Sequence, residues 1–260
     1  MLAEIKIKAR NPDCIRVIQI TDTHIFESAD DGFDGVNTTA SLNAVIEHIR
    51  QQEEQADLVL VTGDLVHDPV AEAYLKLRQQ LIDLHAPTFC LPGNHDNPEL
   101  MHSLLNKKNV HTNKLVQAGE WGIVLLDTYL ANSHAGRLKR EELDKLEQSL
   151  EQLREKFVLV CLHHPPVPVA SPWMDTMMLE NPDDLFSVLD KYNQVRGLVW
   201  GHIHQVFKKS RGEVILYGSP STCVQFKPNA DEYIRDNLGP GYSILLLNRD
   251  GSVEISTERI

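Results

Sequence analysis

Five short polar clusters in the sequence carry residue types that bind metal ions. Together they supply aspartate carboxylates, an asparagine amide oxygen and several histidine imidazoles. A mixed set of this kind suits iron, manganese, zinc or cobalt better than calcium, and it differs from the cysteine-rich set of a structural zinc site. The clusters, in chain order, are Asp22-Thr23-His24, Gly63-Asp64, Gly93-Asn94-His95-Asp96, His163-His164 and Gly201-His202-Ile203-His204.

Each cluster comes directly after an apolar run that is typical of a buried strand. Ligands gather beyond the carboxyl ends of strands in open α/β sheets, so clusters far apart in sequence are expected to converge in space. Two residues separated by one position at a strand exit, such as Asp22 and His24, can point to the same side. Gly63 permits the tight turn that would bring Asp64 up to a metal ion, where its carboxylate could bridge two cations.

Taken singly, the motifs differ in specificity: Asp-x-His and Gly63-Asp64 are weak evidence, Gly201-His202-x-His204 is moderately specific, and Gly93-Asn94-His95-Asp96 is more specific. Asp-x-His alone is more often a turn with a capped helix, and two histidines could be surface residues. All five occur in order, each at a strand exit, so their conjunction favours a metal site. His163 is preferred to His164 as a ligand because it comes first after its strand. His67 lies near the site in sequence and Asp68 could orient a ligand; the roles of His67, Asp68 and His164 stay open.

Strand-like apolar runs alternate with helical patterns over the first three quarters of the chain. Apolar residues at helical spacing cover Leu42–Ile49, Tyr74–Leu84 and Leu143–Leu153. This alternation predicts βαβ units and a largely parallel sheet. After Gly201 the sequence is strand-rich and predicts the second sheet of a layered sandwich. The predicted strands are Ile15–Thr21, Leu58–Thr62, Thr88–Leu91, Ile123–Leu126, Val158–Leu162, Leu198–Trp200, Val214–Tyr217 and Ser243–Leu247.

Composition limits the classes of protein that fit. The 260 residues allow one large α/β domain or two small ones. The formal net charge is −12, opposite in sign to that of most nucleic-acid-binding proteins. No apolar run approaches the roughly 18 residues of a membrane helix, and Met1–Arg10 lacks the apolar core of a signal peptide. We therefore expect a cytoplasmic protein with no nucleic-acid or membrane partner.

The clusters resemble the motifs of the calcineurin-like metallophosphoesterase superfamily, which are DxH, GDxxxD, GNHD/E, a histidine after a strand, and GHxH. The match has no gap in the ligand set. Further segments resemble bacterial class III 3′,5′-cyclic AMP phosphodiesterases, namely Ile18–His24, Leu91–Asp96, Gly201–Gln205 and Pro220–Pro228. The segment Pro220–Pro228 holds no metal motif, so it is the more specific pointer within the superfamily.

The resemblance implies one domain over residues 1–260, an α/β fold built as a four-layer α/β/β/α sandwich with a dinuclear site at its edge. Iron and manganese would be the first candidates for the two ions, and zinc or cobalt would also fit. His95 would not bind metal but would face the substrate and assist the leaving oxygen. Carried over by position, one ion would be held by Asp22, His24, Asp64 and His204, and the other by Asp64, Asn94, His163 and His202.

The activity implied by the resemblance is hydrolysis of 3′,5′-cyclic AMP to 5′-AMP through attack by a metal-bridging hydroxide. Thr222 and Cys223 would contact the substrate, although Cys223 could equally be a small buried residue. Trp173, Met174 and Phe226 could form an apolar wall for adenine, although loop aromatics pack against the protein body at least as often.

Other functions stay open at this point. One is a broader phosphodiesterase that acts on glycerophosphodiesters or 2′,3′-cyclic nucleotides. A nuclease is disfavoured because the chain lacks a basic stripe. A non-catalytic scaffold on the same fold is disfavoured because the ligand set and His95 are both intact. We expect a small-molecule substrate and a monomer or homodimer.

Overall fold

The computed structural model describes residues 4–52 and 55–260. Residues 1–3 and 53–54 lie outside this part of the chain, so the interpretation of Met1–Arg10 is covered only from Glu4 onward. The helices are α1 (Thr38–Gln51), α2 (Ala71–Ile82), α3 (Pro98–Leu105), α4 (Arg140–Gln152), α5 (Pro172–Asp175) and α6 (Pro182–Leu189). The strands are β1 (Ile5–Ile7), β2 (Cys14–Ile20), β3 (Gly32–Phe33), β4 (Val36–Asn37), β5 (Leu58–Thr62), β6 (Thr88–Leu91), β7 (Val110–His111), β8 (Leu115–Ala118), β9 (Trp121–Leu125), β10 (Phe157–Cys161), β11 (Val195–Trp200), β12 (Phe207–Arg211), β13 (Val214–Gly218), β14 (Gly241–Asn248) and β15 (Val253–Arg259).

Two mixed sheets form the centre of the fold. The first sheet has the strand order β1-β8-β9-β10-β11-β13-β12, and the second has the order β15-β14-β2-β5-β6-β7. Strands β2, β5 and β6 run parallel in the second sheet, and β9, β10 and β11 run parallel in the first. Every residue of β5, β6 and β9 is buried, as expected for strands covered on both faces.

Apolar side chains fill three separate layers of core. Leu60 and Trp121 belong to the layer between the two sheets. Leu77 of α2 packs with the second sheet and helices α1 and α3, whereas Leu146 and Leu185 join α4 and α6 to the first sheet. Helices therefore flank both sheets, which confirms the predicted four-layer α/β arrangement. Within the described ranges, we find no helix with the length and apolar character needed to cross a membrane.

The strands after Gly201 do not form a sheet of their own, so that expectation is wrong. Strands β12 and β13 extend the first sheet, whereas β14 pairs antiparallel with β2 in the second. The physical reason is the two-sided apolar pattern of β14. Leu245 and Leu247 face the layer between the sheets, while Ile244 packs on the helical side.

The sequence predicts a long loop over Val167–Asp184, but this segment is not entirely a loop. It contains α5 and the first turn of α6, and each of these helices begins with a proline, Pro172 and Pro182. Proline at the first helical position is a start signal, because its fixed backbone angle suits the helix and its missing N–H needs no partner there. Helix α3, also absent from the predicted elements, has the same proline signal and an Asn97 cap that accepts a hydrogen bond from Leu100 N.

Replacing Leu60 by alanine tests the layer between the sheets. Leu60 is fully buried there, so Leu60→Ala should lower the free energy of unfolding by about 2–5 kcal/mol through lost contacts and a residual cavity. The matched control is Leu75→Ala on α2, where the leucine is 39% exposed and a change within about 0.5 kcal/mol is expected. Urea denaturation of both variants measures the difference, and equal losses would contradict the layer assignment.

Candidate metal centre

The polar clusters converge where the carboxyl ends of parallel strands from the two sheets meet. Asp22 and His24 follow β2, Asp64 follows β5, and Asn94 and His95 follow β6; these are adjacent strands of the second sheet. The remaining predicted ligands follow β10 and β11, which are adjacent in the first sheet. Each sheet therefore contributes about half of the site. The first sheet supplies His163, His202 and His204.

The predicted ligand atoms lie at the spacing that a shared metal ion would require. Two atoms that each lie about 2.1 Å from one ion at a tetrahedral angle are roughly 3.4 Å apart. His24 Nε2 is 3.3 Å from His204 Nε2, and His204 Nε2 is 3.3 Å from an Asp22 oxygen. On the other side, His163 Nε2 is 3.4 Å from Asp64 Oδ1. Two groups of close donor atoms therefore exist, one around His204 and one around His163.

Asp64 lies between these two groups. Its Oδ1 is 3.4 Å from His163 Nε2, and its Oδ2 is 3.7 Å from His24 Nε2. Asn94 Oδ1 is 3.2 Å from His163 Nε2, so the amide oxygen joins the His163 group. One carboxylate thus reaches both groups with separate oxygens, the geometry that a bridging ligand needs.

Hydrogen bonds to backbone carbonyls fix which nitrogen two of these histidines present. His163 Nδ1 donates to Thr62 O at 2.8 Å, and His204 Nδ1 donates to Val224 O at 2.9 Å. A carbonyl oxygen only accepts, so the proton must be on Nδ1 and the lone pair of the neutral ring must be on Nε2. Such partners orient metal-binding imidazoles.

Burial keeps other histidines of the cluster neutral. It is the largest cause of the lowered pKa of His24 and of His202, since a charged imidazole would lose its hydration there. The buried Nε2 of His202 has no hydrogen-bond partner among the described residues. A neutral imidazole with an unsatisfied buried nitrogen is the form in which histidine binds a metal ion.

Asp64 and His163 form a buried pair with opposite effects on each other. Burial opposes both charges, but the Asp64 carboxylate, the Asp22 charge and the bond to Thr62 O together outweigh it and raise the pKa of His163 to about 9. In return, His163 holds the pKa of Asp64 well below its usual range despite burial. In the metal-free protein a proton on His163 therefore compensates the Asp64 charge, and a metal ion would replace that proton.

The backbone is strained at most of the predicted ligands. A non-glycine residue with positive φ costs of order 1–3 kcal/mol and persists only where the surrounding structure enforces it. Five of the predicted ligands have such angles, so the surrounding structure must enforce the turns at these strand exits. They occur at Asp22 (53°), His24 (43°), Asp64 (47°), His202 (67°) and His204 (46°).

His95 is held beside the two groups of donor atoms by its backbone and its ring. Its backbone N donates to Asp64 Oδ1 at 2.9 Å, and its Nδ1 donates to His67 O at 2.9 Å. The Nδ1 proton is thereby fixed, and Nε2 is the nitrogen left for contact with another group. His95 is only partly buried, unlike the histidines His163 and His202.

Asp96 is a site residue whose role the sequence analysis missed. Its buried carboxylate accepts hydrogen bonds from Gly93 N at 2.8 Å, Leu65 N at 3.1 Å and the Tyr74 hydroxyl at 3.0 Å. These bonds tie the β6 turn to the β5 turn and so position Asp64. Burial, followed by the nearby Asp64 charge, raises the pKa of Asp96 to about 7. Its position directly after Asn94-His95 was the sequence signal that could have indicated a role in the site.

The three residues whose roles the sequence left open, His67, Asp68 and His164, lie near the site. His164 is buried with its Nδ1 2.7 Å from Thr128 Oγ1, so His163 and not His164 lies against Asp64. His67 stacks on Phe26, with ring centroids 4.3 Å apart. Asp68 is exposed beside it.

Thr222 and Cys223 are buried against the backbone that follows β2. Thr222 N donates to Thr21 O at 3.1 Å, and Cys223 Sγ donates to Asp22 O at 3.3 Å. The exposed fractions are 0% for Thr222 and 2% for Cys223. The segment thus supports the turn that carries Asp22, and contact with substrate stays a prediction.

Comparison with known proteins agrees with this architecture. The family model described as calcineurin-like phosphoesterase matches residues 15–206, well over half of the chain. The chain belongs to the calcineurin-like phosphoesterase family. The matched range includes every predicted metal ligand of this calcineurin-like phosphoesterase and ends just after His204.

Curated relatives extend the similarity beyond the family range. A Pseudomonas aeruginosa protein named 3′,5′-cyclic adenosine monophosphate phosphodiesterase CpdA is 39% identical over 95% of this chain and 90% of its own length. A Nostoc sp. protein named 3′,5′-cyclic-nucleotide phosphodiesterase alr5338 is 38% identical over 95% of this chain and 92% of its own.

Solved structures share the fold at low sequence identity. A dimetal phosphatase from Danio rerio has a TM-score of 0.62 at 15% identity, covering 94% of this chain and 98% of that one. GAP50 of Plasmodium, described as an anchor in the inner membrane complex, has a TM-score of 0.60 at 12% identity, covering 95% and 89%. At these identities, the likeness shows the fold alone.

Gly93→Ala should disrupt the predicted metal site by displacing Asp64. A Cβ at Gly93 would lie 2.2 Å from Asp64 Oδ1 and 2.3 Å from Asp64 N, so Asp64 must shift. We expect the variant to lose metal, measured as bound metal per chain after dialysis. The control is Gly212→Ala, where φ is +60° but no atom lies within 4 Å of the added Cβ. Equal metal retention in both variants would contradict the close-packed turn.

Asp96→Asn should change how the stability of the metal-free protein depends on pH. Because the pKa of Asp96 is raised to about 7, the folded state binds an extra proton between about pH 4 and 7. The wild type should therefore lose stability relative to the variant as pH rises through that window. One pKa unit corresponds to about 1.4 kcal/mol, so the relative change should reach a few kcal/mol. Denaturant unfolding at several pH values measures it; a constant difference would refute the shift.

Proposed function

We propose that this protein hydrolyses 3′,5′-cyclic AMP to 5′-AMP at a dinuclear metal centre. The observation that carries the proposal is the position of Asp64, whose two oxygens reach two separate groups of buried donors. The names of the Pseudomonas aeruginosa and Nostoc relatives support the cyclic nucleotide as substrate. The proposed ligand sets are Asp22, His24, Asp64 and His204 for one ion, and Asp64, Asn94, His163 and His202 for the other.

The residues present fit a pair of transition-metal ions. The unpartnered Nε2 of His202 and the spacing between His24 and His204 suit nitrogen-binding metals. We propose iron or manganese, with zinc or cobalt as further possibilities. When bound, the ion pair supplies Lewis-acid activation of water and of the phosphate group.

His95 is the proposed proton donor to the leaving 3′ oxygen. Its Nδ1 proton is held by His67 O, so the transferable proton of the imidazolium form is on Nε2. The bond from His95 N to Asp64 Oδ1 keeps the ring next to the metal ligands during the reaction. Asp96 acts only indirectly, by fixing the turns that carry Asp64 and His95.

An aromatic surface beside His204 is the proposed contact for the adenine base. Phe226 stacks on His204 with ring centroids 4.0 Å apart and planes 3° from parallel. Trp173 and Tyr233 pack against Phe226 at 5.4 and 5.2 Å. Met174 is 1% exposed and belongs to the same apolar core cluster as Phe226, so it is not available to contact the base. An aromatic face of this kind suits stacking with a planar base.

A substrate panel separates cyclic AMP from the other candidates. We expect kcat/KM to be highest for 3′,5′-cyclic AMP among cyclic nucleotides, glycerophosphodiesters and bis(p-nitrophenyl) phosphate. Preference for 2′,3′-cyclic AMP or a glycerophosphodiester would replace the proposal by a broader phosphodiesterase. Failure of metal-loaded protein to cleave any diester would favour a scaffold. The net charge of −12 disfavours a nuclease. A single domain, a cytoplasmic location and a monomer or homodimer are part of the proposal.

His95→Ala should retain metal and lose most of the activity. Removal of a positioned proton donor costs about 10²–10⁴-fold in kcat. The matched control is His85→Asn, because His85 is exposed and asparagine tolerates its positive φ of 53°. Bound metal and kcat are measured on the same samples. Full activity of His95→Ala would show that another group protonates the leaving oxygen.

A further inference from the structure

A short hairpin lies beside the proposed dinuclear centre, and the proposed reaction gives it no role. Its strands β3 and β4 pair Phe33 with Val36 and form a small sheet that is separate from the two large ones. The ring centroid of Phe33 lies 5.0 Å from that of His24 and 6.1 Å from that of His204. The hairpin therefore places an aromatic ring next to two of the predicted metal ligands.

A tight turn forms the tip of this hairpin. Asp34 and Gly35 join the two strands with φ angles of 46° and 77°. Positive φ at both central residues is what a two-residue type I′ turn requires. At the other end of the hairpin, Asn37 caps helix α1 by accepting a hydrogen bond from Ala40 N at 2.7 Å. The hairpin is thus attached to α1 at its base and presents Asp34 at its tip.

A segment from near the end of the chain carries the second aromatic ring. Phe226 and Arg235 form an antiparallel bridge, and Lys227 N donates to Ile234 O at 2.8 Å, so this segment folds back on itself. The Tyr233 ring packs edge to face against Phe226 with ring centroids 5.2 Å apart. The fold of this segment therefore keeps Tyr233 beside the proposed contact for the base.

Asp34 joins the hairpin to this segment. The Tyr233 hydroxyl donates to Asp34 Oδ2 at 2.6 Å, and the Arg235 guanidinium donates to the backbone oxygen of Asp34. Arg235 Nε also lies 4.0 Å from Asp34 Oδ2. Tyr233 is 45% exposed and the Asp34 side chain 39% exposed, so these bonds lie at the surface and not in the core. One turn of the hairpin thus connects the segment that carries Phe33 with the segment that carries Tyr233.

We propose that Asp34 is a positioning residue that makes the site prefer phosphoesters with a planar base. It holds Phe33, Phe226 and Tyr233 together as an aromatic rim beside the predicted metal ligands. A planar base gains contact area and stacking from such rings, whereas glycerol or a bare sugar does not. The proposal rests on the proposed function and deepens it, because the rim would separate cyclic nucleotides from glycerophosphodiesters.

Two ligands that differ only by the base test this role, namely 5′-AMP and ribose 5-phosphate. Their Kd values are measured by titration calorimetry on metal-loaded protein, and we expect the wild type to bind 5′-AMP more tightly. Tyr233→Phe removes only the hydroxyl, and Asp34→Gly removes the carboxylate while it accepts the positive φ. In both variants the rim must be ordered without that bond. The Kd of 5′-AMP should therefore rise about five- to tenfold, while that of ribose 5-phosphate changes by less than about twofold.

Two further variants control for the hydrogen bond and for general effects on the fold. Asp34→Asn keeps an oxygen acceptor and tolerates positive φ, so it should bind 5′-AMP as the wild type does. Tyr192→Phe removes a comparable bond between the end of α6 and α4, from the Tyr192 hydroxyl to Glu151 Oε1 at 2.7 Å, and should change neither Kd. In Tyr233→Phe and Asp34→Gly, the KM for cyclic AMP should rise by a larger factor than kcat falls.

Three results would overturn the role of Asp34. They are a wild type that binds 5′-AMP no more tightly than ribose 5-phosphate, variants that weaken both ligands by the same factor, and an Asp34→Asn variant as weak as Asp34→Gly. Binding is measured without turnover, so it separates this proposal from the function on which it builds. A selective loss of 5′-AMP affinity in the variants of a protein that cleaves no diester would refute the proposed function and leave the role of Asp34 standing.

Discussion

The buried charge of Asp64 is the constraint on which the rest of the site depends. A carboxylate that is nearly inaccessible to water is stable only with partners, and here these are His163, His24 and the backbone N of His95. Each partner comes from a different strand, so the position of one side chain fixes the relative position of β2, β5, β6 and β10. The turns with positive φ at Asp22, His24 and Asp64 lie at the same strand exits.

Much of this arrangement could be predicted from sequence, because its signals are local. The apolar runs of β2, β5, β6, β10 and β11 and the polar residues after them indicated both the strands and a shared site. The partner of β14 could not be predicted, since antiparallel pairing with β2 depends on contacts between residues far apart in the chain. Helices α3, α5 and α6 each begin with a proline that could have predicted them, but the prediction of helices relied on apolar periodicity alone.

Within the site, the sequence indicated ligand types but not what holds them. Thr62 O and Val224 O select the tautomers of His163 and His204, and a backbone carbonyl has no signature in a sequence. Asp96 was visible in its motif, yet its bonds to Leu65 N and Gly93 N depend on how two turns approach each other. The stacking of Phe226 on His204 likewise joins segments whose contact only the folded chain reveals.

The division of the predicted ligands between the two sheets would link metal binding to assembly of the fold. Neither sheet alone holds a complete donor set, because Asp22, Asp64 and Asn94 follow strands of one sheet and the histidines of β10 and β11 follow the other. A chain whose sheets have not yet packed together can offer an ion only half a site. Metal binding would thus depend on correct packing of the two sheets at the layer that contains Leu60. A bound ion would in turn stabilise that packing against sliding of one sheet over the other.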